Sequence, residues 1–349
     1  MITIPYNTTD FAFTLNDVFI DISTATANTY FTLSMTVKYY DFYGVTEKTR
    51  VFPYKIPLFN QAASFNIGRI VHRTMTNIQD INNLVPQYKT AVVDLVFQEL
   101  NIADDTLVAE TVLAGIKFIA GILPLKLENN KAFLSANKEA SRVTPKGFIN
   151  VSILLPSGAQ VIELFKNGVL DSSHTITATA TNNVFTERLD MVTLNALPGD
   201  VFKYSIKNTN LFKEILVFPE VNASHQLLFL DEFKLLTSLE CTGEFNFATK
   251  FDTITHSYRR KLVDVLETIE VINTDTLKID TGWILKTDNI TVASLMASKK
   301  AWLFISATEV IELIPLSKKM IKLDSSEFLY SYSLEFQINR SYNAQSYTL

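Results

Sequence analysis

Residues 28–40 read Asn-Thr-Tyr-Phe-Thr-Leu-Ser-Met-Thr-Val-Lys-Tyr-Tyr. Phe31, Leu33, Met35, Val37 and Tyr39 fall on one side of an extended chain, and Thr32, Ser34, Thr36 and Lys38 on the other. Side chains of a strand alternate between faces, so this pattern predicts a strand with one buried face. The same holds near the other end, where Phe328, Tyr330, Tyr332, Leu334, Phe336 and Ile338 alternate mainly with Ser331, Ser333, Glu335, Gln337 and Asn339. Between them, residues 91–97, 147–155, 161–165, 201–206, 215–218, 268–272 and 302–305 are mostly short β-branched or aromatic runs. They are bounded by Asn, Asp, Gly, Pro or Ser, which predicts further strands.

Turn chemistry agrees with this. Asn167-Gly168 stands between two apolar runs, and both residues tolerate the positive φ that a tight hairpin requires. Pro156-Ser157-Gly158 ends one strand, and Pro198-Gly199-Asp200 turns into Val201-Phe202-Lys203-Tyr204. This Leu-Pro-Gly-Asp approach to a Tyr-containing strand resembles fibronectin-type sandwiches. Helices are few. One is expected over 289–300, capped by Thr287 or Asp288, with Val292, Leu295 and Met296 on one face. A shorter one is expected over 67–76.

The fold class expected is therefore mainly β: a multidomain, β-sandwich-like architecture with a C-terminal α+β domain. The chain has 349 residues, long enough for two or three domains. Changes in texture place boundaries near Leu123-Pro124 and 219–223. They give an N-terminal β domain over 1–123, an Ig/fibronectin-like sandwich over 124–222 and an α+β domain over 223–349. With 47% hydrophobic and 19% charged residues, the chain can bury large cores, which excludes wholesale disorder. Net charge −5 marks no general nucleic-acid binder. The longest apolar run, 112–123, is interrupted by Lys117 and is too short for a membrane span of about twenty residues. The first six residues have neither a basic region nor an apolar core, so no secretory signal is expected.

A search for chemistry yields no active site. His72, His174, His225 and His256 have no helical i,i+4 partner among themselves, and no His-Glu-x-x-His, phosphate-binding glycine loop or Gly-x-Ser-x-Gly elbow occurs. Asp104-Asp105 and Asp231-Glu232 are acidic pairs, but adjacent residues on a strand point to opposite faces and do not share one substrate. No calcium loop with alternating oxygen ligands and a central glycine appears. Lys138, Arg142 and Lys146 form a sparse basic stretch, and Arg259-Arg260-Lys261 a compact one beside Tyr258. Both read as solvated strand edges sooner than as phosphate-backbone contacts. Cys241, the single cysteine, excludes an intramolecular disulfide and reads as a buried inert thiol. No catalytic, cofactor-binding or metal-binding residue is assigned, no cofactor is expected, and the chain is not expected to be an enzyme.

Two stretches carry a family resemblance. Leu230-Asp231-Glu232-Phe233, then Leu239-Glu240-Cys241-Thr242-Gly243-Glu244-Phe245, is followed by Tyr258-Arg259-Arg260-Lys261 and Ile279-Asp280-Thr281-Gly282-Trp283-Ile284. Leu295-Met296-Ala297-Ser298, Ala301-Trp302-Leu303-Phe304 and Glu312-Leu313-Ile314-Pro315-Leu316 continue the order. Earlier in the chain, the alternating strand 30–40 leads through Val51-Phe52-Pro53-Tyr54 to Ser64-Phe65-Asn66-Ile67-Gly68-Arg69-Ile70-Val71. In this order the chain resembles tail or virion structural proteins of tailed phages and prophages of Bacteroidetes. One departure is Lys234-Leu235, which stands where the group usually has a glycine pair. The resemblance implies a building block of the tail tip or baseplate, with no active site to transfer. It further implies localisation in a virion assembled in the host cytoplasm, other virion proteins as partners, a homo-oligomeric ring and no specific nucleic acid. The alternatives are a receptor- or glycan-binding protein at the tail extremity, or a capsid-associated protein. Tyr39-Tyr40, Phe42-Tyr43 and 342–347 are the aromatic candidates for host contact, although a core or sheet-face role is the plainer reading of each.

Overall fold

The computed structural model describes residues 2–3, 11–40, 46–75, 90–122, 124, 127–135, 140–179, 183–219, 224–260, 263–306, 309–316 and 329–339. Both expected domain boundaries touch residues outside this set, as do Lys138, Lys261, Phe42-Tyr43 and 342–347.

The N-terminal elements are β1 (Ile2–Thr3), β2 (Phe11–Phe13), β3 (Phe19–Ser23), β4 (Thr29–Tyr40), β5 (Glu47–Ile56), β6 (Ala62–Asn66), α1 (Gly68–Thr74), β7 (Thr90–Asn101) and β8 (Leu107–Ile119). A five-stranded sheet in the order β2-β8-β7-β4-β5 faces a three-stranded one, β1-β3-β6. The alternation in β4 decides which face meets the core. Phe31, Leu33, Met35, Val37 and Tyr39 are buried, while Thr32, Ser34, Thr36 and Lys38 lie on the half-exposed face. Ile20 and Ile22 of β3 and Val71 of α1 close over the buried face. Tyr39, one of the aromatic candidates for host contact, is thus a core residue.

The middle elements are β9 (Ala132–Phe133), β10 (Ser141–Val143), β11 (Phe148–Leu154), β12 (Gly158–Lys166), β13 (Val169–Ala178), β14 (Val184–Asp190), β15 (Val201–Ile206) and β16 (Phe212–Val217). Sheets β10-β16-β15-β12-β13 and β14-β11-β9 share one core, a β-sandwich built on Ile153, Ile162, Phe202, Tyr204 and Ile215. Asn167 (φ 51) and Gly168 (φ 82) both have positive φ and close the β12–β13 hairpin as their sequence predicts. Every residue of β11 is buried. Its Ile149, Val151 and Ile153 enter the sandwich, whereas Phe148 and Leu154 belong to clusters shared with other parts of the chain.

The C-terminal elements are β17 (His225–Leu230), β18 (Leu236–Cys241), β19 (Phe245–Arg260), β20 (Val263–Asp280), β21 (Ile284–Leu285), α2 (Asn289–Ala297), β22 (Ala301–Ser306), β23 (Glu309–Pro315), β24 (Leu329–Tyr330) and β25 (Ser333–Ile338). The seven-stranded sheet runs β18-β17-β22-β23-β25-β20-β19. α2 packs Val292 and Leu295 on it, with Met296 at the margin of the core. Among the described residues the helical part of this unit is therefore a nine-residue α-helix, preceded by a 3-10 turn at Lys286–Asp288, against a large sheet. Neither expected cap bonds the start of α2. Asp288 instead accepts from the Leu285 N–H at 3.3 Å, and the Thr287 hydroxyl donates to the Ala140 carbonyl at 3.5 Å. The single long strand expected over 328–338 is broken at Ser331-Tyr332. Buried Thr281 takes both backbone groups of Tyr332, donating its N–H to the carbonyl and accepting the N–H on its hydroxyl. As a result β24 pairs with β21, and β25 with β20 and β23.

Candidate functional site

The chemical candidates of the sequence scatter across the fold, and most become joints. Asp104 accepts from the Thr106 N–H and hydroxyl, and Asp105, at φ 54, accepts from Tyr30 at 2.7 Å. Both belong to the turn between β7 and β8. His174 lies 2.7 Å from Glu187, and His225 stacks on Phe245 with ring centroids 4.3 Å apart. Cys241 is fully buried, and burial pushes its thiol up to about 12, so it stays protonated and inert. Among the described residues no three His, Cys, Asp or Glu side chains gather as a metal site. Nor is any described helix long and apolar enough to cross a membrane.

Asp231 and Glu232 border an open groove of about 260 Å³ against α2. Asp231 is almost wholly buried, and burial raises its carboxyl to about 7 against the pull of its donors. Those donors take up both oxygens. The N–H groups of Phe233 (2.9 Å) and Leu235 (3.1 Å) share Oδ1, and the Thr237 hydroxyl reaches Oδ2 at 3.0 Å. The carboxylate organises a turn in which Lys234 holds φ 57, a left-handed conformation that glycine adopts without strain. The turn thus combines a lysine in a left-handed conformation with a buried acid that pins the loop.

The strain has a use. The turn presents Phe233 and Lys234 to the N-terminal sheet pair. The Lys234 ammonium donates to the carbonyls of His72 (2.6 Å) and Met75 at the end of α1, where carbonyls lack intrahelical partners. Phe233 lies against Gly121. With Leu235 it joins Phe11, Phe13 and Ile119 of the N-terminal part and Ala132, Leu134, Leu154 and Val184 of the sandwich in one buried cluster. Side chains from all three groups of sheets meet there. Lys234→Gly loses the ammonium but relieves the backbone, whereas Lys234→Ala loses one and keeps the strain. The glycine variant is expected to be the more stable of the two by about 1 kcal/mol in urea unfolding.

His72 also belongs to this junction, its Nδ1 2.8 Å from the Thr14 hydroxyl. Burial, and secondarily the nearby Lys234 charge, push the imidazole from 6.5 down to about 4. Its contribution to stability is complete above 6.5 and lost as pH falls towards 4, because the unfolded chain binds the proton first. Asp231 has the opposite sign: its raised carboxyl stabilises at low pH, and that stability is lost as pH rises from 3.8 to about 7. The two oppose each other over nearly the same window. Asp231→Asn is therefore expected to gain stability with rising pH between 4 and 6.5, and His72→Gln to lose it, with the parent profile between them. Urea midpoints at three pH values check this.

A second joint ties the sandwich to the C-terminal sheet. The buried Glu240 carboxylate accepts from the Thr144 N–H and hydroxyl, each at 2.6 Å. Arg142, read in the sequence as part of a basic stretch, reaches across to the carbonyls of Trp283, Glu240 (3.4 Å) and Thr281 (3.2 Å). Phe148, Leu228, Leu236 and Trp302 form a buried apolar cluster beside it. The Arg188 guanidinium lies 4.2 Å from the Phe148 ring centre and 5.1 Å from that of Phe304. A cavity of about 40 Å³ in this contact, room for a few waters, is lined by Arg142, Asn150 and Glu240 among others.

The β19–β20 ribbon is exposed over most of its length. Its base, Thr276 to Asp280, pairs with β25, but beyond that, among the described residues, its two strands pair with each other alone. From Thr249 to Arg260 it extends roughly 40 Å at about 3.4 Å per residue. Residues 248–258 and 266–269 are all exposed, among them Phe251, Ile254, Tyr258, Leu266 and Ile269. The Arg259-Arg260 pair sits at the tip, where Arg259 pairs with Asp264 and Arg260 with Val263. The sequence shows the compact basic stretch, read as a solvated strand edge, but not the arm, because apolar residues on both faces give no one-sided period.

No protein-family model matches the chain, and no curated protein matches it. Among solved structures, it is similar to CBD12 from CALX1.2 at 8% identity and TM-score 0.19, covering 58% of this chain and 79% of that one. The I9–I11 tandem from titin is similar at 10% identity and TM-score 0.18, covering 80% and 94%.

Proposed function

We propose that the chain is a structural component of a phage virion, at the tail tip or baseplate, taking part in particle assembly through protein–protein interfaces. One observation supports this above the others: the two stretches that carry the resemblance meet at the three-domain junction. Residues 64–71 run into α1, whose final carbonyls receive Lys234, and residues 230–235 form the turn that delivers it. Residues at such a joint fix the shape of the molecule. A protein of this kind acts by shape, and the exposed ribbon offers neighbours a surface to grip. The proposed partners are other virion proteins and further copies of the chain.

Gold-labelled antibody against the recombinant chain, applied to particles from an induced lysate, tests the assignment. Label at the tail end is the expected result. Label on the head would move the protein to the capsid, and absence of label from intact and detergent-opened particles would overturn the virion assignment.

A further inference from the structure

We propose that the β19–β20 ribbon is a dimerisation arm: its free β19 edge pairs antiparallel with β19 of a second copy, the two-fold axis passing at His256. The inference concerns the chain alone and holds whether or not the protein belongs to a virion.

The argument begins with stability. A lone two-stranded ribbon is marginal in water, and three or more strands are needed for a sheet to hold by itself. Among the described residues nothing pairs with this ribbon from Thr249 outward, and apolar side chains are exposed on both its faces. By the β19 alternation, Phe251 lies on one face, and Ile254 and Tyr258 on the other. Pairing two β19 edges makes a four-stranded sheet, β20-β19-β19-β20, without a foreign strand.

The chain also treats its edges differently. β5, the edge of the N-terminal five-stranded sheet, carries Lys48, Arg50, Pro53 and Lys55, residues that discourage pairing. Between Phe245 and Tyr258, β19 has no proline and only Lys250 and Asp252 as charged groups. An edge of that composition accepts a strand.

Self-complementarity then names the occupant. A two-fold that relates antiparallel strands leaves each face on its own side, so opposed residues share parity. An axis at Thr255 sets Lys250 against Arg260, a like-charge pair. The axis at His256 sets Asp252 opposite Arg260 of the second copy and Ile254 opposite its Tyr258, and symmetry makes each pair twice. Opposite charges and aromatic–aliphatic neighbours are the cross-strand pairs that stabilise a sheet. Lys250, ion-paired with Asp252 of its own chain at 2.9 Å, is no longer directly opposite Arg260.

Sedimentation equilibrium on the full chain is expected to give twice 39.4 kDa. In a trimmed variant, Asn-Gly replaces 250–274 and joins the directly opposed Thr249 and Asp275. The three-domain body is intact, and the mass is expected to fall to that of one chain. Asp252→Arg is expected to weaken the dimer at least tenfold, and Asp252→Arg with Arg260→Asp to restore it. His256→Cys is expected to crosslink to a dimer under mild oxidation while Lys250→Cys does not, since Cys241 is buried. A monomeric full chain, a dimer that survives trimming, or an arm-dependent dimer in which the position 256 cysteines do not join would each overturn the proposal. A monomer that captures a different protein through the arm would do so too.

Discussion

Gly121→Ala is expected to lower the unfolding free energy by about 4 kcal/mol. Two penalties coincide. Gly121 holds φ +109, a conformation that strains any side chain by about 1–3 kcal/mol. A Cβ placed there would also fall 2.8 Å from Cε1 of Phe233, and closer still to Cδ1. Overpacking a well-filled site costs about 1–3 kcal/mol more. The ring cannot swing away freely, because it is held in the three-domain cluster with Leu235 and Phe13. Equilibrium urea unfolding measures the loss. Gly121→Ala with Phe233→Leu should be less destabilised than the two single changes predict together, since the smaller side chain removes the clash and leaves the backbone strain. Strict additivity would show that the ring is not what excludes the methyl.

Glu240→Ala is expected to cost about 3 kcal/mol and to divide one unfolding transition into two. Removing the carboxylate leaves the Thr144 N–H and hydroxyl without their acceptors inside a buried contact, and hydrogen bonds to a charged group are worth about 1.5–3 kcal/mol each. It also takes away a negative neighbour of the Arg142 guanidinium, whose burial already disfavours its charge. The lost interaction lies between domains, so the sandwich and the C-terminal sheet should melt separately in calorimetry. A cycle with Thr144→Val isolates the pair, and a coupling near zero would assign the loss to packing instead. Gly147 shows how closely this joint is fitted: a Cβ there would fall 2.7 Å from Gln226 Nε2 and from Glu240 Oε2.

Local patterning revealed most of the strands. The alternation of 30–40, the Asn167-Gly168 turn and the apolar face of α2 each depend on neighbours within a few positions, and each is where the sequence places it. Patterning misled where a distant residue took over. Thr281 interrupts the strand expected over 328–338 by capturing Tyr332, and nothing near Tyr332 announces this. The joints were hidden for the same reason. Arg142 resembles a surface charge until its partner carbonyls, about 100 and 140 positions onward, are brought beside it. Asp231 looked like half of an acidic pair, and only the Phe233, Leu235 and Thr237 donors reveal a turn. The arm escaped because its apolar residues face both ways.

The three-domain cluster also sets a schedule for synthesis. Phe11, Phe13 and Ile119 are complete as a surface once the N-terminal sheets form, but Phe233 and Leu235 leave the ribosome only some 110 residues later. At about 5–20 residues per second, that apolar patch lacks its Phe233 and Leu235 cover for roughly 5–20 s in every nascent chain. During this interval the N-terminal domain is a ready client for a chaperone and liable to stick to another unfinished copy. Slower translation through the sandwich should therefore lower the soluble yield, and chaperone co-expression should restore it.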